Sequence, residues 1–355
     1  MKWPNIENDI SCPGLQAGGR SKLDLGFSQN KKQGSEYYEA LAENGSLRMK
    51  KVSIITVNYN QPVVTEALLH SISNTNTYPS IEIIVIDNGS VIDPVGEWKK
   101  KYPAVKFIRS DKNLGFAGGN NLGVKEGTGD YLFFVNNDTE FTDGLVETLV
   151  ATLDAHPEVG IISPKIRYFD QPDTLQFAGF TPMNYYTARN RCIGQFEKDN
   201  GQYDNLTGET GFIHGAAMMV TRAAIDKAGM MSENYFLYYE EMDWCEHIKR
   251  AGYKIWVNMQ ALIYHKESVS VGGKSAMKEY FMNRNRILFI RRNCPFSVRL
   301  IFWIYFLSVV ATRNVYAYIK DRQFGFVSVL IGAIGWNFAN GIDSANLGYK
   351  ISNTK

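Results

Sequence analysis

Strand-like and helix-like segments alternate from residue 51 onward, and that alternation leaves few folds open. Val52–Val57 is a β-branched run, and a helical pattern follows over Val63–Asn74. Ile81–Ile86, Val105–Arg109 and Tyr131–Val135 read as further strands, with a helix over Asn121–Glu126 before the last of them. Val146–His156 is helical again, and Gly160–Ile166 returns to strand. Strands that are apolar throughout, rather than alternating, are buried on both faces. Separated by helices, they predict an α/β protein with a mostly parallel central sheet flanked by helices. The chain has 355 residues, 45% hydrophobic and 21% charged, which is enough apolar surface for a packed core.

The flanking segments set candidate boundaries. Residues 1–48 are polar, show no sustained period and contain no continuous apolar run. They read as a disordered leader with a short helix around Glu36–Ala42, and not as a secretory signal. Residues 49–293 carry the α/β pattern, divided into halves 49–140 and 141–293. Residues 170–210 are irregular and aromatic, and a helix over Glu240–Ala251 ends at Gly252. Residues 294–355 read as an apolar, basic helical extension.

Net charge is +2, which by itself argues neither for nor against nucleic acid; no nucleic-acid partner is expected, and the charge is unevenly placed. Between Lys274 and Arg322 stand ten basic residues, opposed only by Glu279 and Asp321. Within that stretch Leu300–Thr312 is apolar between Arg299 and Arg313, and Phe324–Phe338 forms a second apolar run. Each uninterrupted run is shorter than the ~20 residues needed to span a bilayer. Basic and aromatic flanks fit helices lying in the interface, so peripheral attachment to the inner face of the cell membrane is expected. A buried helical hairpin or a homodimer contact is the plainer alternative. Cys12, Cys192, Cys245 and Cys294 are scattered without metal or redox spacing and read as free thiols of a cytoplasmic protein.

Ligands of parallel sheets bind beyond the carboxyl ends of the strands. There the first strand ends in Thr56-Val57-Asn58-Tyr59-Asn60, the second in Asp87-Asn88-Gly89-Ser90, and the fourth in Asn136-Asn137-Asp138-Thr139. Such residues dominate ordinary turns. Three of these turns on one edge favour a site instead. A carboxylate after the second strand suits a base or ribose, and one after the fourth suits a divalent cation. Between them lies Asn113-Leu-Gly-Phe-Ala-Gly-Gly-Asn-Asn-Leu-Gly123, where Gly115 and Gly118 allow close backbone approach before a helix begins. The spacing matches neither the dinucleotide fingerprint nor a P-loop.

Taken together, Val52–Asn60, Asp87–Ser90, Asn113–Gly123 and Gly129–Asp138 resemble the nucleotide-binding half of family 2 glycosyltransferases, which have the GT-A fold. That family usually ends its fourth strand in Asp-x-Asp; here Asn136 replaces the first Asp and Asp138 matches the last. Glu233–Gly252 resembles the family's Glu-Asp-x-Asp helix start, with Glu241 at the position of the catalytic base and Asp243 two residues on. His265 resembles its metal-coordinating histidine. The Asn-Leu-Gly-Phe-Ala-Gly-Gly-Asn-Asn and Asn-Asn-Asp forms are most similar to bacterial rhamnosyltransferase-like members.

The resemblance implies inverting transfer from a nucleotide-diphosphate sugar, such as dTDP-rhamnose, to a hydroxyl of a glycan or lipid-linked acceptor in surface polysaccharide synthesis. It implies Glu241 and Asp243 as catalytic residues. Thr56, Asn58, Tyr59, Asp87, Asn88, Asn113, Gly115, Gly118, Asn121, Asn136 and Asn137 would bind the nucleotide sugar. Asp138 and His265 would hold Mg²⁺ or Mn²⁺, and His214, Gly215, Tyr239 and Glu240 would line the acceptor side. Two other classes compete. A nucleotidyltransferase would need a glycine-rich, basic loop after the first strand, which Val57–Pro62 lacks. A non-catalytic sugar-binding scaffold would have no use for Glu241, Asp138 and His265 together.

Overall fold

The computed structural model describes residues 49–267 and 275–351. The leader and its short helix lie outside the described residues. The strands are β1 (Val52–Asn58), β2 (Ile81–Asp87), β3 (Val105–Arg109), β4 (Tyr131–Val135), β5 (Thr139–Phe141), β6 (Val159–Tyr168), β7 (Leu175–Phe177), β8 (Thr207–Glu209), β9 (Ala217–Thr221) and β10 (Lys254–His265). The helices are α1 (Pro62–Thr75), α2 (Val95–Lys101), α3 (Gly115–Glu126), α4 (Leu145–Ala155), α5 (Arg222–Ala228), α6 (Glu240–Arg250) and α7 (Ala276–Asn293). They are followed by α8 (Phe296–Lys320) and α9 (Gly325–Ala339).

The ten strands form one sheet in the order β3-β2-β1-β4-β9-β6-β10-β5, with β7 beside β6 and β8 beside β10. Strands β3, β2, β1 and β4 are parallel neighbours. β9 runs against both β4 and β6, and β10 is parallel to β6. It follows that β1, β2, β3, β4, β6 and β10 all point the same way. Their carboxyl ends share one edge, and the start of β9 meets them there. The core lies on both faces, with Ile55, Leu132 and Phe134 in one apolar cluster and Ile54, Phe133 and Phe141 in the other.

Two elements differ from the sequence reading. The glycine-rich segment is not a loop ahead of a helix, because α3 already starts at Gly115. Its glycines serve close packing. A Cβ on Gly123 would sit 2.3 Å from Ile55, and one on Gly119 would sit 2.9 Å from Val57. The second difference is α8, which runs 25 residues without a break. No Pro or Gly interrupts it, and Arg313 on one face does not end a helix. It is the one helix among the described residues long and apolar enough to cross a membrane by length and composition. Phe302, Phe306 and Val310 pack into the same apolar cluster as Trp244, Phe289 and Trp336. The opposite side leaves Phe296, Leu300, Ile304 and Leu307 exposed.

Candidate active site

The edge after β2 is a closed network. Asp87 is fully buried, and its Oδ1 accepts from Asn58 Nδ2 at 2.8 Å and from the Ser90 hydroxyl. Its Oδ2 is paired with the Arg109 guanidinium. Asn58 Oδ1 in turn accepts from the Gln61 amide and the Thr65 hydroxyl at 3.2 and 2.9 Å. Asn88 donates to Asn113 Oδ1 at 3.1 Å and to the Gly115 carbonyl at 3.0 Å, and it accepts from the Leu114 amide. Asn121 donates to the Met231 carbonyl and to Glu233 Oε1, both at 2.9 Å. These side chains shape the edge by bonding to protein. Thr56 differs, since its buried hydroxyl has no partner. Tyr59 stands half-buried at the turn after β1.

The edge after β4 is open in the chemical sense. β5 folds back along the end of β10, so that Thr139 pairs with His265. This brings Asp138 Oδ1 to 3.1 Å from His265 Nε2, both residues being about 5% exposed. Asn136 Nδ2 lies 3.5 Å from the same nitrogen, and Asn137 donates to Thr65 at 3.0 Å. The other ring nitrogen, Nδ1, is 2.8 Å from Gln176 Oε1 on β7. An amide oxygen only accepts, so Nδ1 donates to Gln176 and Nε2 is the ring nitrogen left toward Asp138. Asp138 Oδ1 is buried and has no partner other than this nitrogen. A carboxylate oxygen and a ring nitrogen 3.1 Å apart suit two neighbouring ligands of a divalent cation. Among the described residues no cluster of three or more His, Cys, Asp or Glu completes such a site. Protein would supply two ligands, and the remaining positions are left for a phosphate or water. Gln176 was missed by sequence reasoning because it sits in the irregular stretch, where no periodicity marks it.

Glu241 stands in the first turn of α6. A Cβ on Gly215 would lie 3.7 Å from its Cγ and 3.9 Å from Phe116. Gly215 therefore leaves room beside the carboxylate, between β9 and α3. Burial pushes the Glu241 carboxyl up, against the pull of its own and Met242's backbone amides. Glu240 is 3% exposed, its Oε2 has no partner, and burial with the neighbouring Glu241 pushes its carboxyl well up. Tyr239 is half-buried, and burial pushes its phenol up to about 12. His214 bridges the two clusters, with its ring centre 6.0 Å from that of His265. Its Nδ1 accepts from the Ala216 amide at 3.1 Å. Burial, and next the proximity of His265, push its pKa down to about 3, so it is a neutral Nε2–H donor.

Asp243 does not join this group. It is fully buried, and its oxygens accept from Ser232, Tyr235 and Asn293 at 3.0, 3.0 and 2.6 Å. His247 and Arg292 stand 3.5 Å away. Both oxygens of Asp243 are engaged by protein and tie α6 to Ser232 and Tyr235 ahead of it and to Asn293 at the end of α7. Cys192, Cys245 and Cys294 are free thiols among the described residues.

A parallel first half, joined to a second half that returns a histidine to the same edge, has the architecture of the GT-A fold. Comparisons with known proteins agree. Residues 53–229 match the model of Glycosyl transferase family 2. A low-salt glycan biosynthesis hexosyltransferase of Haloferax volcanii is 27% identical over 254 residues, covering 69% of this chain and 76% of that one. An N-acetylglucosaminyl-diphospho-decaprenol L-rhamnosyltransferase of Mycobacterium tuberculosis is 22% identical over 234 residues, covering 60% and 75%. S. aureus TarS 1-349 in complex with UDP-GlcNAc is similar in fold, with a TM-score of 0.54 at 17% identity and 81% of each chain covered. So is a mannosyltransferase of Pyrobaculum calidifontis in complex with GDP-Man and Mn²⁺, with a TM-score of 0.51 at 15% identity, covering 88% and 96%. The chain belongs to glycosyl transferase family 2.

Proposed function

We propose that this enzyme transfers one sugar, with inversion, from a nucleotide diphosphate to an acceptor hydroxyl in glycan synthesis. The donor is dTDP-rhamnose or a similar sugar, and the acceptor is a surface glycan or its lipid-linked precursor. The observation that carries the reading is the Asp138–His265 pair, a carboxylate oxygen 3.1 Å from a ring nitrogen where β5 meets the end of β10. Residues 49–293 form the catalytic domain and 294–355 an extension.

In this mechanism Glu241 takes the proton of the acceptor hydroxyl as its oxygen bonds to the anomeric carbon. The bond from that carbon to the diphosphate oxygen breaks, and the nucleoside diphosphate leaves. General-base help of this kind is worth roughly 10²–10⁴-fold. Asp138 and His265 hold a Mg²⁺ or Mn²⁺, which when bound neutralises charge on the leaving diphosphate. His214 and Gly215 edge the acceptor space, with Tyr239 and Glu240 behind it. Thr56, Tyr59, Asn113 and Asn137 receive the nucleotide; Asp87, Asn58, Asn88 and Asn121 hold the edge in shape, with Gly115 and Gly118 letting the backbone come close.

The exposed apolar side of α8 and the basic residues around it support a position against the cytoplasmic face of the membrane, in keeping with a lipid-linked acceptor. The test is a donor screen. Purified protein is incubated with dTDP-, UDP- and GDP-sugars, with metal or with EDTA, beside Glu241→Gln. Nucleoside diphosphate released from one donor, and lost with EDTA and with the variant, is the expected result. Failure to bind any donor would refute the reading.

A further inference from the structure

The turn leading into α6 holds a conformation its side chains resist. Phe236, Tyr238 and Tyr239 have φ of +65°, +70° and +73°. Bulky L-residues avoid this region because Cβ crowds the following carbonyl, so surrounding groups must impose it. Left-handed aromatics this close together, directly before the proposed base, call for such groups.

The structure supplies them from two sides. On the nucleotide side, the Phe116 amide donates to the Phe236 carbonyl at 2.8 Å. That approach requires glycine at 115, where a Cβ would lie 2.2 Å from the same carbonyl oxygen. On the other side stands Asn285 of α7, which is fully buried. Its Nδ2 lies 2.9 Å from the Tyr235 carbonyl, 2.7 Å from that of Leu237 and 2.8 Å from that of Tyr238. One amide group thus gathers carbonyls that a regular helix or strand would point apart. Asn285 is held in turn by Arg284, whose guanidinium donates to its Oδ1 and lies 4.0 Å over the Trp336 ring of α9. A continuous line of contacts runs from the C-terminal helices to the turn before Glu241.

We propose that Asn285 is a positioning residue for Glu241: its amide fixes the left-handed turn and thereby the start of α6, on which the base is aimed. The inference rests on the reading of Glu241 as the base. It also ties the C-terminal helices, through Trp336 and Arg284, to the turn before the base.

The test compares Asn285→Ala, Asn285→Ser and Asn285→Asp with Arg291→Met. Arg291 bridges α7 to α9 through Asn337 and the Asn340 carbonyl without touching the turn. Expected for Asn285→Ala is a kcat loss of about 100-fold, the effect of a misplacement on the order of 1 Å, with donor KM nearly unchanged. Asn285→Asp keeps the shape but sets a carboxylate against three carbonyls, and it should be as slow. Arg291→Met should lose melting temperature while keeping its kcat. Wild-type kcat in Asn285→Ala or Asn285→Asp, or an equal loss in Arg291→Met, overturns the proposal. Should Asn285→Ala fail to fold, Asn285→Ser replaces it. Hydrogen exchange across residues 235–243 is followed in parallel and needs no activity. Faster exchange there in Asn285→Ser than in Arg291→Met is expected, and equal exchange refutes the clamp. If Glu241→Gln keeps full turnover, the assignment of the base has failed, while the exchange result still judges the clamp.

Discussion

Asp87 and Asp138 stand at the ends of strands on the same sheet edge, and both are buried, yet they are built differently. Every oxygen of Asp87 is engaged by Asn58, Ser90 or Arg109. Asp138 keeps a buried oxygen whose one neighbour is His265 Nε2. The same contrast separates Asp243, enclosed by protein donors, from Glu240, which has an orphaned Oε2. A buried acceptor without a donor costs free energy. A satisfied carboxylate is therefore architecture, and an unsatisfied one is kept for a ligand. The edge divides into a side after β2, whose carboxylate is closed by protein, and a side after β4, whose carboxylate is open and for which metal and acceptor are proposed.

The comparison can be broken or sharpened by substitution. Glu241→Gln should lower kcat by about 10²–10⁴-fold with donor binding retained, measured by nucleoside diphosphate release and calorimetry. Gln176→Leu, which frees His265 to change tautomer, should weaken metal affinity or activity by about 10–100-fold with little change in melting temperature. The two aspartates should then exchange symptoms in denaturant titrations. Asp87→Asn should cost about 1.5–3 kcal/mol of stability, because it removes charged hydrogen bonds. Asp138→Asn should cost little stability and yet lose metal-dependent turnover. If Asp138→Asn proved the more destabilising, the division of the edge would be wrong.

Acidity gives a further separation. Burial raises the Glu241 carboxyl above its ordinary value of 4.5, so the proton-accepting form fills only at higher pH. The pH profile of kcat/KM should rise through a limb above 4.5, and Glu241→Gln should abolish that limb. The smallest effect on turnover belongs to Ile304→Glu on the 62% exposed side of α8. It should reduce sedimentation with anionic vesicles while changing turnover on a soluble acceptor by no more than about twofold.

Much of this was legible in the chain. β4 falls where its apolar run predicts, because a buried parallel strand has a plain signature, and β3 and the turns that end β1, β2 and β4 also fall as read. The pairing of Asp138 with His265 came from the family resemblance, and the geometry brings the two together. What stayed hidden depends on contacts distant in sequence. Nothing local marks Gln176 or Asn285, whose roles exist only once β7 lies by β6 and α7 by the turn before α6. The enclosure of Asp243 was hidden for a related reason. A carboxylate in the first turn of a helix looks alike whether it faces solvent or a ring of donors. The glycines of α3 read as a ligand loop because close approach to a strand and close approach to a ligand demand the same residue.

The splice of β5 onto the end of β10 has a consequence for inheritance. One cation ligand comes from the first half of the chain, the other from the end of the second, and the residue that orients it from β7 between them. A recombination point anywhere between residues 138 and 265 would separate these groups unless both parents kept the same register. The site therefore passes between relatives as a whole.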